Sequence, residues 1–486
     1  MEHNNQLQFC DLPELTEIII DEIKSNIGSE ISTKKLKKII SFVATHNEMI
    51  TYEEYINLSQ IIFDECQNEN YEVLSILLGH EIEVDGIGYK INQQNKTASL
   101  FQIKKKKDNI IIPRSITYES NEYIITSIVP DTLPSNKKVK SIQFDEKSEL
   151  HTIYGNSLYG SPIEKIFFPK NLTDLRDCWA FSCFYLKDIE ISPLNKKFFK
   201  DNKCLLGKSD INSDNYDILF FVRRDISEFE IPSSVKIISS NAFSYTQIKT
   251  ISLPPQITTI KSYAFYGCKN LENIEIFEDS ELKEIGELAF DFTKINSIFI
   301  PKNMTELDAD SLNHLANLKK ITISPLNNKY SCKDDVFILT KSNMNNDFDT
   351  IVFARCNLKE VKIPSYIKFI GPKAFQYCKE LKKIEIPINS ELEIIGNSSF
   401  LCSGITQIYI PQHVKIIDEY AFCRCNNLTH LEFAENLELQ IIKKYAFYDT
   451  KVSNIEIPNS VIKIGKYAFD LTRVNNIGIK ENSQLQ

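Results

Sequence analysis

The chain is poor in several things that catalysis, nucleotide binding and membrane insertion need. Its 486 residues include only 14 Gly, 1 Trp and 7 His. The histidines are scattered, and no H-E-x-x-H pair, G-x-S-x-G elbow or phosphate-binding loop occurs, so the spacing that metal hydrolysis, nucleophilic hydrolysis or NTP binding requires is absent. Gly86-Ile87-Gly88 lacks the third glycine and the helix of a dinucleotide fingerprint, and reads as a turn. Positive charge is also short: 56 Lys and Arg against 65 Asp and Glu leave a net charge of −9. Nucleic-acid binders rest on clustered cations that neutralise phosphates, so that class is excluded. No apolar run approaches the roughly 18 residues of a membrane span. At the N-terminus, Ile18 to Ile20 is cut off by Asp21 and Glu22, short of the apolar core of a secretory signal, which favours the cytoplasm.

What the chain has in excess is isoleucine, about one residue in seven, on a strong internal period. An Ala-Phe pair or a worn version of it recurs at Ala180-Phe181, Ala242-Phe243, Ala264-Phe265, Ala289-Phe290, Ser311-Leu312, Ala374-Phe375, Ser399-Phe400, Ala421-Phe422, Ala446-Phe447 and Ala468-Phe469, with Ser157-Leu158 as an earlier degenerate member. Uninterrupted intervals alternate between 22 and 25 residues. Before each pair runs apolar-x-x-apolar-x-apolar, often closed by Pro: IKTISLP from Ile248, INSIFIP from Ile295, LKKIEIP from Leu381, ITQIYIP from Ile405. Its period of two is that of a strand with one buried face, and the Pro stops the ladder. A second apolar segment follows, and then a return segment, short and helical or irregular, that carries the Ala-Phe pair. A unit this small cannot bury its own apolar face, so successive units must stack. About fourteen such strands lie between Val139 and Ile479.

Two matched detours, SPLNKKFF from Ser192 and SPLNNKYS from Ser324, return through the apolar runs DILFFV and DTIVFA. They read as β-hairpins inserted near 192–225 and 324–356, and imply a larger duplicated block. Phrases such as IPSSVKIISSNAF, LPPQITTIKSYAFYGCKNLENIEI and IPNSVIKIGKYAF resemble the leucine-rich repeats of the BspA-like family, known from bacterial and protist surface antigens. That resemblance covers roughly residues 89–486. It implies a non-enzymatic protein-binding or adhesion role at a cell surface, with no cofactor and with a protein or host-surface ligand.

The expected fold class is therefore an α/β leucine-rich-repeat solenoid, with a parallel sheet on the concave face and a small all-α module before it. Residues 1–88 form the helical module, read from apolar spacing such as Leu15, Ile18, Ile19 and Ile23 and from a capping box at Thr51 and Glu54. Residues 89–135 form a β-rich capping segment, and 136–486 the solenoid. An intracellular scaffold, with the helical module recruiting a second partner, is the alternative function. IGIKENSQLQ at the C-terminus matches the opening of a long repeat and stops before its Ala-Phe pair, so either truncation or a partner over that edge is expected.

In each six-residue strand the fourth and sixth positions face inward, and the fifth faces the opposite side, the concave surface of the solenoid. That outward column holds Phe167, Glu190, Glu230, Glu275, Phe299, Glu385, Tyr409, Glu432 and Glu456. It is acidic with three aromatic interruptions, and these nine residues are the candidate partner-binding site. The 12 cysteines read mostly as free thiols: Cys183, Cys268, Cys378, Cys402 and Cys425 each fall two or three residues after the repeat's Phe, a small buried place for a compact hydrophobe. Cys423-Arg424-Cys425 with His430 lacks the second pair a zinc site needs. Lys104 to Lys107 reads as a solvated hairpin tip.

Overall fold

In the computed structural model, residues 80–472, 476–479 and 485 are described, apart from 106, 131, 134–137 and 344–346. The chain divides into two compact units, Met1–Ser161 with Pro169–Trp179, and Pro162–Phe168 with Ala180–Gln486.

The described part of the first unit begins with an antiparallel meander, His80–Val84 with Ile87–Asn92 and Ile87–Asn92 with Thr97–Ile103. Asp85 and Gly86 both have positive φ (53° and 72°), the conformation of the tight two-residue hairpin turn that Asp-Gly favours. Asn121–Ile128 then pairs in parallel with Thr97–Ile103, and Thr152–Ile153 and Asp174–Leu175 extend the sheet one coil at a time. Residues 80–88 are thus strand and turn where a helical module is expected. The remainder of that module, with its helices and capping box, lies outside the described residues. Lys104 pairs with Glu83 at 2.8 Å.

The second unit repeats one coil. The outer strands pair in parallel, as in Lys165–Phe168 with Asp188–Ile191, Thr250–Ser252 with Asn273–Glu275, and Gln407–Ile410 with His430–Phe433. The second apolar segments supply two-residue strands that build the longer sheets: Ile237–Ile238, Thr259–Ile260, Glu284–Ile285 and Glu306–Leu307 in one, Phe369–Ile370 through Lys463–Ile464 in the other. Each long sheet starts on an antiparallel hairpin, Phe198–Lys200, Cys204–Gly207 and Ile218–Val222 or Ser331–Lys333, Phe337–Thr340 and Thr350–Ala354, whose last strand turns parallel to the first coil. The second hairpin explains its own unbroken apolar run. Ile338 and Phe353 point into the core of the preceding coils, while Phe337, Leu339 and Ile351 point into the core of the following ones, and a strand buried on both faces has no polar side.

The α/β expectation is corrected here: the fold is an all-β solenoid. The one helical element among the described residues is a single 3-10 turn at Ala309–Ser311. The physical reason lies around the Ala-Phe pair. The residue before Ala has positive φ in nearly every coil (Asn241, Tyr263, Leu288, Lys373, Ser398, Tyr420, Tyr445, Tyr467), and so does the residue two after Phe (Tyr245, Gly267, Phe292, Tyr377, Cys402, Arg424, Asp449, Leu471). Left-handed residues on both sides leave no room for an α-helical turn. Each costs a non-glycine residue roughly 1–2 kcal/mol, offset by backbone bonds from coil to coil. Phe243 N–H donates to Ala264 O, Phe265 to Ala289 O, Phe375 to Ser399 O and Phe400 to Ala421 O. The Ala-Phe turn is therefore a third hydrogen-bonded rail.

Inside that rail the phenyl rings stack. Phe375, Phe400, Phe422, Phe447 and Phe469 follow one another at 4.8, 5.1, 5.0 and 5.2 Å with interplanar angles of 12° or less. Phe243, Phe265 and Phe290 form a second stack. One pair shifts register relative to the sequence reading. Cys178 holds the left-handed position before the turn, and Leu158 N–H donates to Trp179 O, so Trp179-Ala180 is the structural pair in place of Ala180-Phe181. Phe181 is displaced outward, within 5.5 Å of the Tyr266 ring centroid.

Candidate functional site

The fifth-position residues fall into register wherever their strands pair. Phe167 lies opposite Glu190, Ser252 opposite Glu275, Phe299 opposite Thr322, Lys362 opposite Glu385, Tyr409 opposite Glu432, and Glu456 opposite Gly478. Glu230 occupies the corresponding place in a stretch without regular strand structure. The three aromatics are half-buried, and Phe299 packs against the apolar core of its coils. Glu230, Glu275, Glu385, Glu432 and Glu456 are exposed and Glu190 half-exposed.

The glutamates divide by partner. Glu190 accepts from Lys165 Nζ at 2.6 Å, and the same ammonium reaches Asp188 at 3.3 Å, so the lysine is held above its usual range chiefly by Glu190. Glu385 pairs with Lys362 at 2.8 Å, and that lysine keeps its carboxyl below the ordinary range. Glu230, Glu275, Glu432 and Glu456 have no cation within ion-pair reach among the described residues. The result is a column of carboxylates, two neutralised locally and four with no cation in ion-pair reach among the described residues. Sequence spacing located the column but could not tell paired from free members, because Lys165 and Lys362 belong to neighbouring coils.

The cysteines follow the turn. Cys268 Sγ donates to Phe243 O at 3.0 Å, and Cys425 Sγ to Phe400 O at 3.0 Å. Burial pushes these thiols up to about 11 and about 12, where almost no thiolate exists at neutral pH. Cys402 departs from the pattern: it sits half-buried at the left-handed position, and Ser403 takes the buried place. The ten described cysteines form no disulfide with one another. Cys423, Cys425 and His430 are not brought together. Cys425 faces a carbonyl and His430 contacts Thr429, and no group of three His, Cys, Asp or Glu able to hold a metal gathers among the described residues. No helix of the described residues is long and apolar enough to cross a membrane.

Sequence reasoning missed Phe184 and Tyr185, which stand 49% and 59% exposed at the end of a turn. A signal was available. Aligned from Leu186 and Leu318, the duplicated block has Ala316 and Asn317 at these two places.

A family model described as "BspA type Leucine rich repeat region (6 copies)" matches residues 98–219, 216–343 and 346–476. Among solved structures, the chain is similar to a leucine rich cell surface protein from Faecalibacterium prausnitzii, at 20% identity over 82% of this chain and 95% of that one with a TM-score of 0.47. It is also similar to the pneumococcal vaccine antigen PcpA, at 16% identity over 83% and 82% with a TM-score of 0.38, and to a leucine-rich repeat protein from Bacteroides ovatus, at 16% over 79% and 99% with a TM-score of 0.28. No curated protein matches.

Proposed function

The chain belongs to the BspA-type leucine-rich-repeat family and is a β-solenoid, and from that premise we propose that it is a non-enzymatic protein that binds a protein or host-surface ligand, in an adhesive role, through the concave outer face of its strands. The observation that carries this reading is the in-register column in which Glu275, Glu432 and Glu456 stand exposed without an internal cation. Carboxylates repeated along a sheet attract a basic partner surface, and such charges act chiefly on the rate and selectivity of association. Half-buried Phe167, Phe299 and Tyr409 add immobile aromatic surface of the kind that dominates binding energy at interface centres.

The test is binding of the fluorescently labelled protein to cultured cells, comparing wild type with a Glu275→Gln, Glu432→Gln, Glu456→Gln variant. These exposed substitutions leave the core untouched. The expected outcome is saturable, salt-sensitive binding that falls about tenfold in the variant. A folded variant that binds as well as wild type refutes the strand face as the site. Protease treatment of intact producing cells tests surface display separately.

A further inference from the structure

The second unit holds a buried cation with no anion. Arg224 is 6% exposed, directly after the hairpin strand Ile218–Val222. Its Nη1 donates to Val222 O at 3.3 Å and to Ala242 O at 3.0 Å, and Phe221 lies under the guanidinium at 4.4 Å from the ring centroid. No carboxylate pairs with it, and its Nε and Nη2 have no acceptor among the described residues. The neighbouring carboxylate, Asp225, is taken by Arg223 in a two-point contact at 3.1 and 2.8 Å. Cys268 nearby stays a neutral thiol and supplies no counter-charge. Burying an unpaired charge is costly, so this arrangement calls for an explanation.

Arg224 lines a cavity of about 370 Å³ with Phe184, Tyr185, Lys187, Tyr245 and Gln247, Asp225 also reaching its wall. The duplicated block shows that the hairpin itself does not need the arginine. Aligned from Asp217 and Asp349, Arg223 matches Arg355, but Arg224 matches Cys356, a neutral residue whose Sγ contacts Ala354 O, the counterpart of Val222 O, at 3.6 Å. Phe184 and Tyr185 are likewise replaced there, by Ala316 and Asn317. The buried guanidinium and the aromatic rim are thus both present in the first block and both missing from the second.

The geometry points to a carboxylate-binding pocket in the first block, in which the free edge of the Arg224 guanidinium receives an acidic group of a peptide while Phe184 and Tyr185 clasp its apolar neighbour. A planar guanidinium with two adjacent unused N–H groups matches the two oxygens of a carboxylate. Lys187 adds a second positive charge to the wall, and the exposed rings offer apolar contact at the mouth. This site is separate from the strand column and takes the opposite charge, so neither reading depends on the other.

The experiment is calorimetric titration of the full chain with N-acetyl-phenylalanyl-glutamyl amide, its glutamine counterpart, N-acetyl-phenylalanyl-glutamine with a free terminus, and inorganic phosphate. The expected result is saturable binding of the glutamyl amide, at least tenfold weaker for the glutaminyl amide and for Arg224→Gln, and unchanged in Cys356→Ser. Tighter binding of the free-terminus peptide than of the glutamyl amide would identify a chain-terminal carboxylate as the source; the reverse would identify an acidic side chain. Equal binding of all three peptides, wild-type affinity in folded Arg224→Gln, or phosphate binding more tightly than any peptide would overturn the proposal. If Arg224→Gln does not fold, Phe184→Ala with Tyr185→Ala decides on exposed positions. Loss of the preference for a carboxylate-bearing peptide over the glutaminyl amide supports the pocket, and an unchanged preference refutes it.

Discussion

Replacing Phe400 with alanine should destabilise the chain more than any surface change and more than the same change at Phe469. Phe400 is fully buried and has a stacked ring on each side, Phe375 at 4.8 Å and Phe422 at 5.1 Å. Burying a phenylalanine side chain contributes about 1.5–3 kcal/mol, and each aromatic pair adds about 0.5–1.5 kcal/mol, so the loss is about 2.5–6 kcal/mol, in line with the ~3–5 kcal/mol seen for Phe→Ala in cores. Phe469 is partly buried and has one ring contact, with Phe447, which places Phe469→Ala at about 1–2 kcal/mol. Leucine already serves in this place at Leu312, so Phe400→Leu should cost only about 1–1.5 kcal/mol. The assay is chemical denaturation followed by two probes, joined to native hydrogen exchange at the Phe375 and Phe400 amides that donate to Ser399 O and Ala421 O. Hydrogen exchange is needed because a repeat array opens locally as well as globally. A cost below about 1 kcal/mol at Phe400, or one equal to that at Phe469, would refute the claim that the ring stack holds the turns together.

Two other predictions concern charge and thiols. Asp310, whose side chain is 6% exposed, meets Lys373 Nζ at 2.5 Å, with Glu287 at 3.8 Å from the same ammonium and Asn313 donating to Asp310 at 2.8 Å. Burial raises the Asp310 carboxyl above its usual range even though Lys373 pulls it down, and Lys373→Met removes that pull, costing about 3–5 kcal/mol at neutral pH. Because the folded pKa lies above the unfolded one, the penalty belongs to the ionised form and fades as pH falls through the folded value. The stability gap to wild type should narrow on acidification, and a constant gap between pH 7 and 4 in urea melts would disprove it. For the cysteines, native alkylation read by mass spectrometry should leave Cys268 and Cys425 unmodified while half-buried Cys402 reacts. Equal labelling of all three would contradict the buried hydrogen-bonded thiols.

The stacking of strands was legible because burial and period are local facts. Ile251, Ile274, Ile384 and Ile408 are buried for the reason their spacing suggests: alternate residues of a strand share a face. The register of the outward column was legible on the same ground. The turn was not. Ala-Phe followed by polar residues has no strong preference against helix, and left-handed Tyr, Lys and Leu are disfavoured by their own chemistry, so only the backbone bonds from the next coil make that conformation stable. The shift from Ala180-Phe181 to Trp179-Ala180 has the same origin, since the coil contact Leu158 to Trp179 selects the pair.

The amino-acid sequence by itself determined the repeat, the strands, the inward isoleucines and the two hairpin insertions, because each follows from which side chains must leave water within one coil. Only the tertiary structure decided that the return segment is a turn rather than a helix, which glutamates are already paired, and that Arg224 meets Phe184 and Tyr185 from some 40 residues away along the chain. Those outcomes depend on contacts between coils, where a backbone amide, a lysine or a cavity wall is supplied by a neighbour that no single repeat encodes.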